Sequence, residues 1–306
     1  MTSASAPPSI YGKLVVVAML WGGTFVAGRV AAHEMPAPTA ALWRYVVACV
    51  ALLLLSWRLD GGLPRLTRAQ WIGVSLLGLT GVATYNLCFM FGLERVPASR
   101  GSLIMALNPA MTALGAAFFL HEPLTRNRVL GIVVALFGVT VVLGHGNPLA
   151  LFTGDMGVGE AALLGCVLAW VTYTLLGKSI LMGLSPLAAT TYAALTGVIF
   201  LAIVAAFSGN LIIPQASTQG WFAIGFLGVF GTAVAFVWFY EGVKTIGPAR
   251  TAVFINLVPV AAVTLGVLLL GEALEMSMLV GGVLVILGVY VINRPSAPAP
   301  AAPVPA

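Results

Sequence analysis

Charged side chains are scarce in this sequence. Of its 306 residues, 8% are Asp, Glu, Lys or Arg and 60% are hydrophobic, whereas a soluble protein carries about 25% charged residues. So little charge cannot cover the surface of an ordinary soluble domain, and it favours burial in lipid. The composition therefore predicts an integral membrane protein.

Cysteine and histidine are also rare, with three of each in the chain. The cysteines fall inside apolar runs, where a small buried thiol is more common than a disulfide or a metal ligand. The histidines stand apart from one another and have no acidic or nucleophilic partner at a catalytic spacing. We therefore predict no metal site, no cofactor and no enzymatic activity.

Strict alternation of apolar and polar residues, which a membrane β-barrel requires, is missing from runs such as LVVVAML and GGVLVILGVYVI. A bilayer core about 30 Å thick is spanned by a helix of about 20 mostly apolar residues. The sequence predicts an all-α fold of ten transmembrane helices. They lie near residues 11–32, 38–57, 71–93, 98–120, 127–145, 158–178, 186–208, 219–243, 250–271 and 276–293.

Basic residues are scattered singly between the apolar runs and form no stripe, so the net charge of +5 does not predict nucleic-acid binding. With the N-terminus placed in the cytoplasm, the outer connections hold Arg29, Arg95 and Arg100, and ten other basic residues lie on the inner side. This bias predicts that both termini are cytoplasmic. Five glutamates, among them Glu272, lie near helix ends, where we expect solvated or cap-paired carboxylates.

One stretch of the chain occurs twice in similar form. LNPAMTALGAAFFLHEPLT, from Leu107, returns 150 residues later as LVPVAAVTLGVLLLGEALE, from Leu257. The register holds without a gap from Trp71 to Val141, and Trp21 matches Trp170 at an offset of 149. We predict a first repeat over 11–145 and a second over 158–293. A loop at 146–157 connects them, and disordered tails cover 1–10 and 294–306.

An odd number of helices in each repeat inserts the second copy upside down relative to the first. Inverted repeats are typical of secondary transporters, because two similar units can open a shared central site to either side of the membrane. Duplication for stability alone is the other interpretation. The repeat therefore favours, without requiring, a transporter that works by alternating access.

The motifs on this framework resemble a known family. WGGTFVAGR in the first helix, ALWRYVV with Arg44 in the second, and the repeated endings of helices 4 and 9 resemble the drug/metabolite transporter superfamily, EamA type. Within it the chain is similar to bacterial amino-acid and metabolite exporters, including the aromatic amino-acid exporter type. The resemblance implies a central cavity surrounded by helices 1, 3, 4, 6, 8 and 9.

Polar and aromatic residues in those helices form the predicted substrate site. Mid-helix prolines Pro109 and Pro259 are expected to kink their helices and free backbone carbonyls. Each aromatic residue could instead anchor its helix at the interface, and each kink could serve packing alone. The predicted substrate-binding residues are Trp21, Thr24, Phe25, Tyr85, Asn86, Asn108, Trp170, Tyr173, Thr174, Trp238, Tyr240 and Asn256.

The solute follows from the lack of charge at mid-membrane. Arg44 is the deepest basic residue, about 9 Å into its helix by helical rise, and its long side chain could reach outward. Without a buried opposite charge, desolvating a charged solute costs too much. A small net-neutral or zwitterionic metabolite, most simply an amino acid, is therefore predicted. Other metabolites and drugs are the alternative solutes, and a membrane enzyme or a channel is the alternative from another class.

The predicted partners are this small-molecule metabolite and the lipid bilayer, and the expected location is a bacterial inner membrane. The sequence leaves the oligomeric state and the coupling ion open, and facilitated movement needs no ion. Helices 5 and 10 carry Gly131, Gly138, Gly281 and Gly288 in pairs seven residues apart. Small residues let backbones approach closely, so this face is predicted to pack tightly, within the bundle or against a second subunit.

Overall fold

A computed structural model describes residues 8–147, 156–180, 183–209, 211 and 216–293, and every regular element in those ranges is helical. The predicted all-α fold is confirmed. Most of the predicted connection at 146–157, residues 1–7 of the first predicted tail and all of the second lie outside the described residues. Helix α1 begins at Pro8, inside the range predicted as a tail.

Ten apolar helices correspond to the ten predicted runs. In the described residues, nine of them are long and apolar enough to cross a membrane, and the tenth has 17 residues. Their bounds differ from the predicted ones by a few residues. The helices are α1 Pro8–Glu34, α2 Ala37–Leu59, α3 Arg68–Arg95, α4 Ala98–Phe119, α5 Arg126–Leu143, α6 Val158–Ile180, α7 Pro186–Phe207, α8 Thr218–Ile246, α9 Arg250–Leu270 and α10 Met276–Ile292.

Hydroxyl side chains begin four of these helices. Thr67, Thr125, Ser185 and Ser217 stand directly before α3, α5, α7 and α8, and each side chain accepts a hydrogen bond from the backbone N–H three residues on. Such a cap satisfies a donor that the first helical turn leaves unpaired. The short polar connections of the sequence thus set where these helices begin.

The helices pack as pairs drawn from the two halves of the chain. Helix α1 lies against α9 and α8, and α6 lies against α4 and α3; α2 packs on α7 and α8, and α7 packs on α3. Helices α5 and α10 pack against each other, so the predicted glycine face is an internal contact of this chain. One large core of buried side chains draws on both halves.

Helices α3 and α8 each contain a π-helical segment, Gly78–Thr84 and Phe226–Val234. In the second segment the Thr232 hydroxyl donates to the Leu227 carbonyl five residues earlier, at 3.0 Å. A π segment inserts an extra residue into the helix and leaves backbone groups free for other partners, often at functional sites. Neither segment was expected from the sequence.

Helices α4 and α9 are interrupted in front of their prolines. Residues 106 and 107 form a turn before Pro109, and residues 254–256 form a short 3-10 helix before Pro259. Each proline therefore lies in the first turn of a new helical piece, where its missing N–H costs little. The resulting break divides each of these membrane spans into two helical pieces.

Both copies of the repeated stretch end in the same turn. His121 after α4 and Gly271 after α9 have positive φ angles of 54° and 65°. The backbone N–H of the next residue returns to the carbonyl of Ala116 or Gly266. This is a helix C-cap that turns the chain sharply. In the second copy, this turn directs the chain at Glu272 away from the axis of α9.

Candidate functional site

A first group of aromatic rings lies between α1 and α8, and we call it the α1–α8 cluster. The ring centroid of Trp21 is 5.8 Å from that of Phe236 and 5.2 Å from that of Phe239, and both phenylalanines contact Tyr240. The Trp21 indole N–H donates to the Gly231 carbonyl of the π segment at 3.1 Å. The π segment therefore supplies a backbone acceptor that fixes this indole in place.

A narrow apolar recess, without room for a water molecule, lies beside this cluster. Trp21 contributes to its wall, and the other predicted site residues do not. The recess is lined by Leu14, Val17, Ala18, Trp21, Phe239, Phe254 and Ile255.

A second group of rings joins α1, α3 and α6, and we call it the α3–α6 cluster. Tyr85 stacks on Phe89 with centroids 5.9 Å apart, and it contacts Trp170 at 5.8 Å. Trp170 contacts Tyr173 at 5.5 Å, and Phe89 contacts Phe25 edge to face at 5.3 Å. Four residues predicted separately on three helices are thus joined, together with Phe89, in one series of ring contacts.

The two predicted threonines are satisfied within their own helices. The Thr24 hydroxyl donates to the Trp21 carbonyl at 2.6 Å, and the Thr174 hydroxyl donates to the Trp170 carbonyl at 2.8 Å. A hydroxyl bonded in this way still has lone pairs that can accept from a ligand. Each threonine therefore sits about one turn beyond a tryptophan, Thr24 in α1 and Thr174 in α6.

Asn86 is fully buried, and its partner is Arg44 of α2. An Arg44 guanidinium N–H donates to the Asn86 amide oxygen at 2.7 Å, and the Asn86 amide nitrogen donates to the Val82 carbonyl at 2.7 Å. The arginine is 7% exposed, so its side chain does not reach outward. The amide acceptor on α3 and the ring of Phe89, 5.6 Å from the guanidinium carbon, hold it inside the bundle.

The remaining predicted residues lie apart from the two clusters. Asn108 begins the second piece of α4, and its amide oxygen is buried without a hydrogen-bond partner in the described part of the chain. Asn256 ends the 3-10 turn of α9. Trp238 is half-buried, and no ring contact among the described residues joins it to either cluster. The two asparagines thus stand at the helix breaks of α4 and α9.

Sequence reasoning missed the phenylalanines that complete both clusters. Phe89 follows Tyr85 by four residues, and Phe236 precedes Tyr240 by four, which is the spacing of neighbours on one helix face. That spacing was a usable signal. Phe239 has no such signal, because its place beside Trp21 depends on how α1 and α8 pack.

Ion pairs gather around the ends of α1, α4 and α9. The Glu272 carboxylate accepts from the backbone N–H groups of Ala98 and Ser99, at 2.7 and 2.8 Å, and from the Ser99 hydroxyl. Arg29 approaches the same carboxylate at 3.5 Å, and the Glu272 side chain is 8% exposed. Glu272 is thus a buried cap of α4 that ties three helices together.

A second buried arginine lies in the first turn of α4. Arg100 is 5% exposed, donates to the Leu143 carbonyl at 2.7 Å, contacts His145 and lies 3.6 Å from Glu160. It was expected on an outer connection, and its position inside the bundle follows from these partners. In the described residues no three His, Cys, Asp or Glu side chains come together as metal ligands.

Replacing Trp21 with phenylalanine is expected to lower the free energy of unfolding by about 1 kcal/mol, the net contribution of one buried hydrogen bond. The ring contacts with Phe236 and Phe239 can be kept, so the indole N–H is the group removed. Thermal unfolding in detergent measures the effect. Trp57→Phe is the matched control, because Trp57 is 68% exposed. Equal shifts in the two variants would contradict the role of the Gly231 bond.

Comparisons with known proteins agree with this architecture. The model of the EamA-like transporter family matches residues 9–144 and 157–294. An uncharacterized transporter of Bacillus subtilis, YyaM, is 29% identical over 282 residues, covering 92% of each chain. A probable terminal-alkyne amino-acid exporter of Streptantibioticus cattleyicolor is 31% identical over 286 residues, again covering 92% of each.

Two further comparisons bear on the membrane and on the fold. An uncharacterized inner membrane transporter of Escherichia coli, YedA, is 24% identical, covering 87% of this chain and 84% of that one. One solved crystal structure matches with a TM-score of 0.66 at 19% identity, covering 93% and 96% of the two chains, which shows a shared fold. The family matches cover both halves, and the relatives are transporters. The chain belongs to the EamA-like transporter family of the drug/metabolite transporter superfamily, and it is a multi-pass membrane transporter rather than an enzyme.

Proposed function

We propose that the protein exports small zwitterionic or net-neutral metabolites, amino acids foremost, across a bacterial inner membrane by alternating access. Its two halves, residues 11–145 and 158–293, act as inverted repeats around a central site, and both termini are cytoplasmic. The observation that carries this proposal is an exchange of contacts between the halves.

The exchange is visible where two glycines meet α1 and α6. A Cβ added at Gly231 would lie 2.6 Å from the Thr24 side chain, and one added at Gly81 would overlap the Tyr173 ring. Gly231 follows Gly81 by 150 residues, and Tyr173 follows Thr24 by 149, which are the offsets of the sequence repeat. Each half therefore contacts the other through equivalent positions of the repeat.

The same exchange recurs between α2 and α8 and between α7 and α3. A Cβ at Gly228 would lie 2.8 Å from the Arg44 carbonyl, and one at Gly78 would lie 2.7 Å from the Ala193 carbonyl. Ala193 follows Arg44 by 149 residues. A two-fold axis produces such reciprocal contacts, and five helices in each half would place that axis in the membrane plane. This geometry supports the inverted-repeat mechanism.

The aromatic clusters support a solute with an ammonium group and an apolar part. Ring faces attract a cation when water is excluded, and their edges and faces pack against apolar side chains. The rings touch one another in this conformation, so admitting a solute requires them to separate, as alternating access demands. The relative named as a probable amino-acid exporter, 31% identical, favours the same class of solute.

Export from cells tests this proposal directly. The full-length protein is expressed in a bacterial strain that lacks its own amino-acid exporters, and growth is measured in toxic analogues of aromatic, aliphatic and polar amino acids. Expression is expected to raise tolerance to at least one class and to speed release of the corresponding radiolabelled amino acid. Unchanged tolerance and unchanged release for every class, with the protein present in the membrane, would reject amino-acid export.

Trp170→Leu is expected to lower that export about tenfold, because it removes an aromatic face worth about 1 kcal/mol or more to a desolvated cation. Leucine keeps an apolar side chain at the position, so the helix packing is disturbed less than by alanine. Initial rates of release from loaded cells measure the change. Trp57→Leu, at an exposed position of α2, is expected to export like the wild type, and equal loss in both would argue against the α3–α6 cluster.

A further inference from the structure

We infer that Arg44 binds the carboxylate of the transported solute, which makes the protein selective for carboxylate-bearing metabolites. The inference rests on the proposed function and assigns one residue and one chemical group to it. It also revises the expectation that no buried charge takes part in recognition. Four observations support it: the missing counter-charge, the incomplete hydrogen bonding, the absence of Arg44 from the second half, and its position beside the aromatic rings.

Arg44 is a buried cation without an anion. It is 7% exposed, and in the described residues no carboxylate lies within ion-pair distance of it. Buried charges are normally paired, because burial removes the hydration that stabilises them in water. Arg100 shows the usual solution, with Glu160 at 3.6 Å. Among the described residues, Arg44 has only the neutral amide of Asn86 and the faces of two rings.

Its hydrogen bonding is incomplete as well. One N–H is used by Asn86, and the Nε atom is buried without any partner in the described part of the chain. A guanidinium offers its donors as a fixed planar fork that fits the two oxygens of a carboxylate. Both the unused donors of this guanidinium and its uncompensated charge fit a carboxylate ligand.

The fold does not need a charge at this place. The position 149 residues after Arg44 is Ala193, and the position 150 residues after Asn86 is Phe236. The equivalent contact of α7 with α3, Ala193 against Gly78, is made without a charged side chain, and the nearest side-chain atom to Gly78 is the Thr196 hydroxyl. A polar pair present in only one of two similar halves points to a ligand rather than to packing.

The guanidinium also borders the α3–α6 cluster. Its central carbon lies 5.6 Å from the Phe89 ring and 5.5 Å from the Tyr45 ring, and Phe89 contacts Tyr85 and Phe25. A carboxylate on Arg44 would therefore leave the rest of a zwitterion among aromatic faces. Those faces suit its ammonium group and an apolar side chain.

Binding to the purified full-length protein in detergent tests the inference, with thermal stabilisation and calorimetry as readouts. The probes are the common L-amino acids, their amides, and the matching acids without the amino group, such as phenylalanine, phenylalaninamide and 3-phenylpropionate. The tightest acid is expected to bind at least about tenfold more tightly than its amide, as loss of a charge-assisted pair predicts. An amide that binds as tightly as its acid would overturn the assignment.

Substitutions at two residues separate ligand binding from folding. Arg44→Gln is expected to bring acid and amide affinities within about twofold of each other, and Arg44→Lys should keep part of the preference. Asn86→Asp places a carboxylate at the 2.7 Å contact. It is expected to keep or raise the melting temperature while weakening acid binding about tenfold or more. Arg58→Gln, at an exposed position, is the charge-matched control and should bind like the wild type.

The possible results distinguish the inference about Arg44 from the proposed function on which it rests. Amino acids that are exported but bound no better than their amides would reject the role of Arg44 and leave amino-acid export standing. Deaminated acids that bind through Arg44, without binding or export of amino acids, would support Arg44 and reject amino acids as the solute. Wild-type binding in Asn86→Asp, or no binding of any carboxylate to the wild type, would overturn the inference, because a purely structural arginine leaves the acid-to-amide ratio unchanged.

Discussion

Replacing Glu272 with alanine is expected to lower the free energy of unfolding by about 3 kcal/mol. The substitution removes the acceptor of two backbone N–H groups at the start of α4 and the anion facing Arg29. Because the carboxylate is buried, water does not replace it at these donors, so the penalty for unpaired groups applies. The apparent melting temperature in detergent measures the loss.

A matched glutamate shows whether burial is the cause. Glu94 lies near the end of α3 and pairs with Arg95, but both side chains are more than a third exposed. Exposed pairs contribute little, so Glu94→Ala is expected to cost less than about 0.5 kcal/mol. Glu272→Gln should fall between the two, because its amide oxygen still accepts a bond at the α4 terminus. Similar shifts for Glu94→Ala and Glu272→Ala would refute the capping role.

The helices were predictable because lipid leaves the chain few choices. An apolar run in a bilayer must satisfy its own backbone, so hydropathy locates helices such as α7 and α10 almost without context. The repeated stretch was also recognisable from the sequence alone. In both copies the ending, His121-Glu122 or Gly271-Glu272, is a helix C-cap whose first residue has a positive φ angle.

The site was less predictable, because its chemistry depends on which helix faces meet. Arg44 was placed correctly within α2, but its direction depends on Asn86 of α3, 42 residues away. The π segments were missed for a related reason. Gly78 and Gly228 are glycines in apolar helices, and only the close approach of α7 or α2 shows why the helix widens there. Sequence supplied the residues, and packing decided their partners.

Gly138→Leu is expected to cost about 3 kcal/mol, the upper end of the range for overpacking a core, and to lower the yield of folded protein. A Cβ at Gly138 would lie 2.7 Å from the Gly281 carbonyl and 2.8 Å from the Val285 nitrogen of α10. These are backbone atoms, so relief requires the two helices to move apart. Small residues permit such close crossings in membranes, where packing rather than the hydrophobic effect drives association. Thermal unfolding and gel filtration report the change.

Two further variants make this a test of the two-fold arrangement as well as of packing. Gly12→Leu lies in α1 with no described atom within 4 Å of an added Cβ, so it should leave the melting temperature nearly unchanged. Gly288 follows Gly138 by 150 residues, and its Cβ would lie 2.6 Å from the Gly131 carbonyl and 2.5 Å from the Ala135 nitrogen. If the halves are related by a two-fold axis, Gly288→Leu must destabilise the protein about as much as Gly138→Leu. A large effect at one glycine and none at the other would contradict both the close helix crossing and the two-fold symmetry. Under that symmetry, equivalent residues of α5 and α10 make equivalent contacts.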